Sequence, residues 1–446
     1  MPTQNRKPQT ANRLFRLITF GCKVNQVDSA GLAQELAGLG WRPAAAGEAP
    51  DLGLVNTCTV TARADQQARQ TIRRLARDYP GLPIWVTGCY AQRAPREVAA
   101  LPGVRAVLGN QEKSLLSRLG AGCSGSPPEI HVSTFSPAVT FHSWRLRAFP
   151  GHTRAWLKIQ DGCSHGCSYC IVPRVRGPRR SLPPEQVAEC LLDLAVQGYQ
   201  EVVLTGVDLG QYGRDLALPS DLAALVRSLR SEPLPFRVRL SSLEPQEVEV
   251  ELLDELAAWQ EFCPHFHLPL QSGSDTVLAR MARPYRAADF LALAREILRR
   301  FPEAGLGLDV LVGFPGESAA DFEATRALVA SLPVTYLHVF PYSPRPGTPA
   351  AQLTPLPARE IRERARLMRD LGRRKKMEFL QAQLGRVREV LVEGPAPQAG
   401  WLQGLSDHYL RVVLPGPGEW RNRRLQVRFR RTNGETLAGE VVGETG

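Results

Sequence analysis

Between Arg154 and Phe340, short apolar runs alternate with longer segments of helical period, and no other feature of the chain constrains its fold as much. The runs Ala155–Ile159, Glu201–Leu204, Phe236–Leu240, His265–Pro269, Leu306–Val312 and Thr335–Phe340 predict strands. Helical segments near 184–198, 220–231, 246–260, 287–300 and 318–331 separate them. Strands that alternate with helices bury both faces as a parallel sheet with covering helices. Six βα units predict an incomplete barrel, because a closed eight-unit barrel takes about 250 residues. Barrels of this kind keep their chemistry in the loops at the carboxyl ends of the strands. Polar residues gather there: Thr205, Gly206 and Asp208; Ser241, Ser242 and Glu244; Gln271 to Ser274; and Gly313 to Gly316.

Two further regions flank this core. From Leu14 to about Leu119, Phe15–Phe20, Leu52–Val55 and Ile84–Val86 read as strands. Ser29–Leu39 reads as a helix, with Leu32, Leu36 and Leu39 on one face and Ser29 as its cap. An open parallel sheet is expected. Gly120–Pro128 has the composition of a linker. A basic helix is expected over Ala358–Phe379, and from Leu384 the pattern turns to strands: Val387–Val392, Trp401–Leu405, Tyr409–Leu414, Leu425–Arg430 and Leu437–Val442. Five short strands suit a small barrel of the oligonucleotide-binding type. A chain of 446 residues exceeds one ordinary domain. The fold class expected is α/β: an open parallel-sheet domain over 13–122, a partial (βα)6 barrel over 150–380 and an all-β barrel over 384–446.

The nine cysteines are an odd count, which favours metal or cluster binding over a disulfide framework in a cytosolic chain. Cys163, Cys167 and Cys170 fall within eight residues after a strand, and three thiolates so spaced can wrap three corners of a [4Fe–4S] cube. No fourth cysteine follows, so one iron stays open to a ligand. A closed zinc site is the alternative, with His165 as fourth ligand; His165 sits inside a short loop and cannot easily face the same metal. Cys22, Cys58 and Cys89 are 36 and 31 residues apart, yet each follows a predicted strand. Loops at the carboxyl ends of parallel strands share one crevice, so these thiolates are expected to converge on a second cluster. The alternative is three small buried apolar side chains. Cys123, Cys190 and Cys263 have no such setting and are read as structural.

With these residues in view, the chain from about Phe15 to the C-terminus resembles the methylthiotransferases of the radical S-adenosylmethionine superfamily. The matching stretches are Gly21 to Asn25, Asn56 to Cys58, Gly88-Cys89, Asp161 to Cys170, Arg176-Gly177 with Arg180-Ser181, His267 to Ser274, Asp309 to Gly316 and Phe340 to Pro349. The C-terminal strands resemble the TRAM domain, an RNA-binding module. The resemblance implies two [4Fe–4S] clusters, one on Cys163, Cys167 and Cys170 and an auxiliary one on Cys22, Cys58 and Cys89. It implies S-adenosylmethionine chelated at the open iron, with Tyr169 packed on its adenine; ordinary loop packing is the alternative for Tyr169. Thr205, Gly206, Ser242 and Gln271 are the further candidate cofactor contacts.

The reaction so implied consumes two molecules of S-adenosylmethionine. One methylates sulfur held at the auxiliary cluster. The other yields a radical that takes hydrogen from carbon 2 of an adenine, to which the methylthio group then bonds. Gly21 to Gln26 and Arg239 to Pro245 look most like the branch acting on N6-threonylcarbamoyladenosine at position 37 of tRNA, beside the anticodon. Isopentenyladenosine in tRNA and an aspartate of a ribosomal protein are the substrates of the other branches. A non-catalytic RNA-binding protein with structural clusters is a reading from another class. The implied partners are a tRNA anticodon stem-loop, an electron donor such as a flavodoxin or ferredoxin, and a sulfur source.

Charge fits such a partner. Fifty-five basic against 44 acidic residues leave +11, which suits a polyanion, though an arginine-rich proteome would produce the same balance. Arg421, Arg423, Arg424, Arg428, Arg430 and Arg431 lie close together, with Trp401, Tyr409 and Trp420 as residues able to stack on bases or to fill the core. The helix near Arg362–Lys376 reads equally as an RNA grip or as a solvated bridge. No apolar run reaches the roughly 18 residues of a membrane span, and the polar N-terminus has no signal-peptide core, so a cytoplasmic protein without a membrane partner is expected.

Overall fold

The structure, a computed structural model, describes residues 13–116, 127–136, 140–146, 149 and 152–444. Cys123 and most of the expected linker lie outside them. The chain divides into two compact units. One comprises Met1–Leu146 with Ile171–Pro178, the other Arg147–Cys170 with Arg179–Gly446.

The first unit is a six-stranded, wholly parallel sheet of β1 (Arg13–Thr19), β2 (Trp41–Pro43), β3 (Leu52–Thr57), β4 (Ile84–Gly88), β5 (Val104–Leu108) and β6 (Glu129–His131), in the order β2-β1-β3-β4-β5-β6. Every residue of β3 and β4 is buried, as central parallel strands covered on both faces require. The helix Ala62–Asp78 lays Ala68, Ile72 and Leu75 on a core shared with Val55, Ile84 and Val86, and Thr61 caps it by accepting from the Ala64 N–H. Strand order reverses between β1 and β3, which opens a crevice at their carboxyl ends.

The helix expected from Ser29 starts earlier, at Lys23, and runs to Gly38. Ser29 is therefore no cap. It is buried inside the helix, where its Oγ accepts from Thr19 Oγ1 at 2.7 Å and from Asn56 Nδ2 at 3.0 Å. Leu32 and Leu36 are buried as expected, whereas Leu39 lies past the last helical residue and is exposed.

The second unit contains six parallel strands met in sequence order: β7 (Arg154–Lys158), then, beyond the short ribbon of β8 (Gln160–Asp161) and β9 (Arg180–Ser181), β10 (Glu201–Thr205), β11 (Arg237–Leu240), β12 (His265–Gln271), β13 (Gly305–Val312) and β14 (Tyr336–Pro341). They form two half-sheets, β11-β10-β7 and β12-β13-β14. Val238 stitches the halves, donating to Glu261 O and accepting from Cys263 N, each at 2.7 Å. Helices Pro184–Val196, Leu222–Leu229, Val250–Ala257, Ala287–Arg300 and Ala319–Ser331 fill the connections, matching the expected partial barrel. The helix Ala358–Ala382 follows. Its Arg364 is buried in ion pairs with Glu317 and Glu360, and Arg366 and Arg373 pair with Asp370, so much of its positive charge is neutralised locally. The C-terminal strands β15 (Val387–Pro395), β16 (Trp401–Ser406), β17 (Arg411–Pro415), β18 (Arg424–Thr432) and β19 (Leu437–Glu444) close into a barrel ordered β15-β16-β17-β19-β18.

One buried charge centre ties this small barrel to the larger one. Glu201 is completely buried and accepts from Arg237 Nε at 2.7 Å and Arg239 Nε at 2.9 Å. The same guanidinium groups donate onward to backbone carbonyls of the small barrel, Arg237 to Leu405 at 2.8 Å and Arg239 to Asp407 at 2.7 Å. Burial alone would push the Glu201 carboxyl up, but the arginines hold it well below the usual carboxylate range.

Removing one partner strands the others as uncompensated buried charge, at a cost of roughly 3–5 kcal/mol. Glu201→Gln is therefore expected to lower the thermal unfolding midpoint by several degrees at pH 7. The folded carboxyl titrates below its unfolded value of about 4.3, so its contribution is complete above that pH and is lost as pH falls. The substitution should accordingly also shrink the drop in midpoint on acidification. A midpoint equal to that of the parent at pH 7 would contradict this assignment.

Candidate functional sites

Cys22, Cys58 and Cys89 stand at the carboxyl ends of three neighbouring strands. Cys22 follows β1 and occupies the N-cap of the helix Lys23–Gly38, Cys58 directly follows β3, and Cys89 directly follows β4. The loops close tightly. Gly21 has φ 101°, and a Cβ on it would sit 2.9 Å from Cys58 Cβ. Gly88 has φ 93°, and a Cβ there would lie 2.4 Å from the Thr57 carbonyl oxygen, so both turns require glycine. Asn25 Nδ2 donates to Phe20 O at 2.7 Å and to Thr57 O at 3.1 Å, clamping the loops that carry Cys22 and Cys58 together.

The segment after the other cysteine loop braces this clamp. Arg176 donates to Asn25 Oδ1 and, at 3.1 Å, to Asp28 Oδ2, which Lys113 also meets at 2.6 Å. Asn110 Nδ2 lies 2.6 Å from Val175 O and 3.8 Å from Cys89 Sγ. Sequence reasoning placed Arg176 only in an Arg-Gly element. Its buried partner Asp28, an acid set between the apolar Val24, Val27 and Leu32 of the helix, was the signal available.

Burial pushes the Cys58 thiol up to about 12, and the adjacent Cys89 and Cys22 add to the effect. Three thiols this close oppose one another as thiolates until a cation takes their charge, so the donor set fits an iron–sulfur cluster.

In the second unit Cys163, Cys167 and Cys170 follow β7 and β8 on one loop, which starts at Gly162 with φ 74°. Cys163 Sγ lies 3.3 Å from Asp208 Oδ2, and Arg283 Nη1 donates to Cys167 Sγ at 3.3 Å while pairing with Glu244. His165 turns to the buried carboxylates, with Nε2 2.8 Å from Glu247 and 3.2 Å from Asp208. Those two hydrogen bonds, to Asp208 foremost and then to Glu247, raise the His165 imidazole to about 10 and occupy it away from the thiols. Three thiols without an added histidine suit a cluster with one open iron better than a closed zinc site.

The expected cofactor contacts lie along the same rim. Tyr169 packs with Val277, Met281, Phe314 and Tyr342, its ring 6.4 Å from that of Phe314. Thr205 is buried at the end of β10, and Gly206 follows with its N–H 3.4 Å from Ser241 Oγ. Ser242 Oγ meets His267 Nδ1 at 2.5 Å. Gln271 closes β12 with φ 59°, a left-handed conformation that non-glycine residues seldom adopt outside functional turns. Two buried oxygens beside this rim, Asp208 Oδ1 and Glu247 Oε2, have no hydrogen-bond partner among the described residues, and a ligand with ammonium or hydroxyl donors would satisfy them. The pairing of Glu247 with His165 was not foreseen; an acid two residues beyond a proline in a strand-end loop was the only hint. Cys190 and Cys263 are buried elsewhere in the same unit.

On the small barrel, the aromatic residues divide. Tyr409 stacks on His265 with ring centres 4.5 Å apart, and Arg239 lies over it at 5.2 Å, so it packs between the barrels. Trp420 packs on the barrel core, whereas Trp401, with Arg431 over its ring at 5.6 Å, lines a cavity of about 640 Å³. Arg424 and Arg430 are partnered by Glu389 and Glu440, and Arg423 lies 3.4 Å from Glu444 in an exposed pair that a phosphate can displace.

Residues 14–109 match the family described as "Uncharacterized protein family UPF0004", and residues 157–329 match the radical SAM superfamily. The chain is 37% identical over 380 residues to the threonylcarbamoyladenosine tRNA methylthiotransferase MtaB of Rickettsia prowazekii, covering 84% of this chain and 87% of that protein. It is 34% identical over 418 residues to the protein of the same name from Thermotoga maritima, covering 93% and 94%. The tRNA-2-methylthio-N(6)-dimethylallyladenosine synthase of Pelotomaculum thermopropionicum is 34% identical over 411 residues, covering 90% and 92%. Among solved structures, the radical S-adenosylmethionine methyltransferase TsrM from Kitasatospora setae, with cobalamin and a [4Fe–4S] cluster bound, shares the fold at a TM-score of 0.55 and 17% identity, over 76% of this chain and 77% of that one. Given the strand-end cysteine loops and relatives matched over nearly their whole length, the chain belongs to the methylthiotransferase family of the radical S-adenosylmethionine superfamily.

Proposed function

We propose that this protein is a tRNA methylthiotransferase that adds a methylthio group to carbon 2 of N6-threonylcarbamoyladenosine at position 37. The observation that carries this reading is the gathering of Cys22, Cys58 and Cys89 on one sheet edge, in a chain whose barrel holds a second three-cysteine loop. A radical enzyme that only cleaves S-adenosylmethionine has no use for the first trio. Near full-length likeness to relatives named for threonylcarbamoyladenosine supports the substrate.

Bound to these trios, one cluster with S-adenosylmethionine supplies radical chemistry at an unactivated C–H bond and the other supplies sulfur transfer. The chain's own residues do the rest. Arg283, anchored by Glu244, places a guanidinium against the Cys167 sulfur and compensates its negative charge. Asp208 and Glu247 offer acceptors to donors of the cofactor, and the ring of Tyr169 supplies an apolar wall. Asn25 and Arg176 hold the loops of the first trio in register with each other. The substrate adenine has to leave its stack in the anticodon loop to reach such a site. Arginines 421, 423 and 428 on the small barrel supply the phosphate grip. Reduction by a small electron-transfer protein and delivery of sulfur complete the reading, in the cytoplasm. No helix among the described residues is long and apolar enough to cross a membrane.

Iron analysis of anaerobically reconstituted protein should find about eight irons per chain, falling by about half in Cys58→Ala and again by about half in Cys163→Ala. Cys163→Ala is expected to abolish release of 5′-deoxyadenosine, and Cys58→Ala to retain it while losing methylthio transfer. Product from Cys58→Ala would reject the role given to the first trio. Because the small barrel is knit to the large one by buried arginines, its part in binding is better tested by substitution than by deletion. Replacing Arg421, Arg423 and Arg428 with glutamine should weaken tRNA binding and flatten its dependence on salt, by roughly one counterion for each phosphate no longer neutralised. An unchanged salt slope would place the grip elsewhere.

A further inference from the structure

Three strands of the second unit carry polar side chains that the cofactor sites do not use. His265 and His267 alternate along β12, Gly305, Gly307 and Asp309 along β13, and Tyr336, His338 and Phe340 along β14. The register sets His267 beside Gly307, Gly307 beside Tyr336 and Asp309 beside His338, so all lie on one face of the half-sheet. The other face holds Phe266, Leu268, Leu306, Leu308 and Val310, all buried. A Cβ on Gly307 would fall 2.1 Å from the Tyr336 ring, so the glycine makes room for that ring.

Asp309 organises this face. Its Oδ1 lies 2.8 Å from His267 Nε2 and 3.0 Å from His338 Nδ1. Burial would push its carboxyl up, but the two imidazole hydrogen bonds hold it down at about 2. An ionised carboxylate only accepts, so both facing nitrogens carry protons. His267 then uses its remaining nitrogen on Ser242 Oγ. His338 keeps Nε2, which has no hydrogen-bond partner among the described residues. The His338 side chain is 55% exposed, against 13% for His267 and 19% for Asp309.

His338 opens on a cavity of about 380 Å³ whose wall includes Tyr336, Lys376, Tyr409, Arg411 and Glu435. Lys376 is paired with Glu435 at 2.5 Å, whereas Arg411 forms no salt bridge among the described residues. Once Nε2 also takes a proton, this imidazole, held through Nδ1 by a buried carboxylate and facing a cavity with a guanidinium and tyrosine walls, donates to an organic carboxylate. A threonylcarbamoyl group ends in one. A dimethylallyl group carries no charge and offers no acceptor to a His338 Nε2–H or to Arg411.

Resting on the function proposed above, we infer that His338, oriented by Asp309 and helped by Arg411, binds the carboxylate of the amino-acid group on the target adenine and so selects that base. His338 and Arg411 would touch substrate; Asp309 is a positioning residue.

The test is binding of anticodon stem-loop RNA to the reconstituted full chain, followed by fluorescence anisotropy. Three RNAs differ only at the target adenine: threonylcarbamoyl, its methyl ester, and dimethylallyl. The parent protein is expected to bind the acid about tenfold more tightly than the ester, the effect of one charge-assisted hydrogen bond. His338→Phe should abolish the difference between acid and ester, and His338→Gln, which keeps a neutral donor, should fall between. Asp309→Asn should shrink the difference. Equal affinities for acid and ester in the parent protein overturn the inference without need of any variant, as does a difference that survives His338→Phe. A parent protein that methylthiolates only the dimethylallyl RNA refutes the proposed function, and the inference with it. Turnover of the threonylcarbamoyl RNA with no acid–ester difference refutes His338 alone.

Discussion

Every strand of a parallel sheet ends on the same edge, and the chemistry of this protein depends on that constraint. Backbone polarity forces each crossover helix to return the chain to the opposite edge. The loops after β1, β3 and β4 therefore gather without any need for their residues to be near in sequence, and three cysteines more than thirty residues apart become one donor set. The same rule gathers Cys163, Asp208, Glu244 and Gln271 from the ends of four barrel strands. Crowding at both sites is relieved by unusual backbone, as the positive φ angles of Gly21, Gly88, Gly162 and Gln271 record.

Buried charge does different work in the two units. In the first, Asp28 with Lys113 and Arg176 sits behind the cysteine loops, where an ion pair fixes geometry that apolar packing would leave free to slide. In the second, Glu201 neutralises arginines whose outer nitrogens cap carbonyl groups of another barrel. Such pairs add little net stability over apolar replacements, but each member is costly to remove alone, so they act as registers between elements. The small barrel is thereby a fixed wall of the core, and Tyr409, from its β16–β17 connection, becomes a neighbour of His265 and Tyr336.

Much of this was legible beforehand because it is local. The strand runs at Leu52, Ile84, Glu201 and Leu306 are continuous apolar stretches bounded by polar turns, and a chain cannot hide such a pattern. The five C-terminal strands are similarly marked by alternation. The start of the first helix was missed because Ser29 offers itself as a cap six residues inside it. Thr19 and Asn56 supply polar partners there, and those partners come from strands, not from the helix. The edge strands β2 and β6 are three residues long and leave too little pattern to read.

Fold class, the trio Cys163, Cys167 and Cys170 and the family could be read from spacing and period within short stretches, and the trio Cys22, Cys58 and Cys89 from the rule that parallel strands end on one edge. What stands behind those residues emerged only once the chain was folded. His165 facing Glu247, Asn25 clamping two loops, and Asp309 shared by two histidines join positions from 5 to 82 residues apart. A side chain's partner is set by strand order and register, and those are fixed by which apolar faces can be buried together across the whole chain. No local window contains that information.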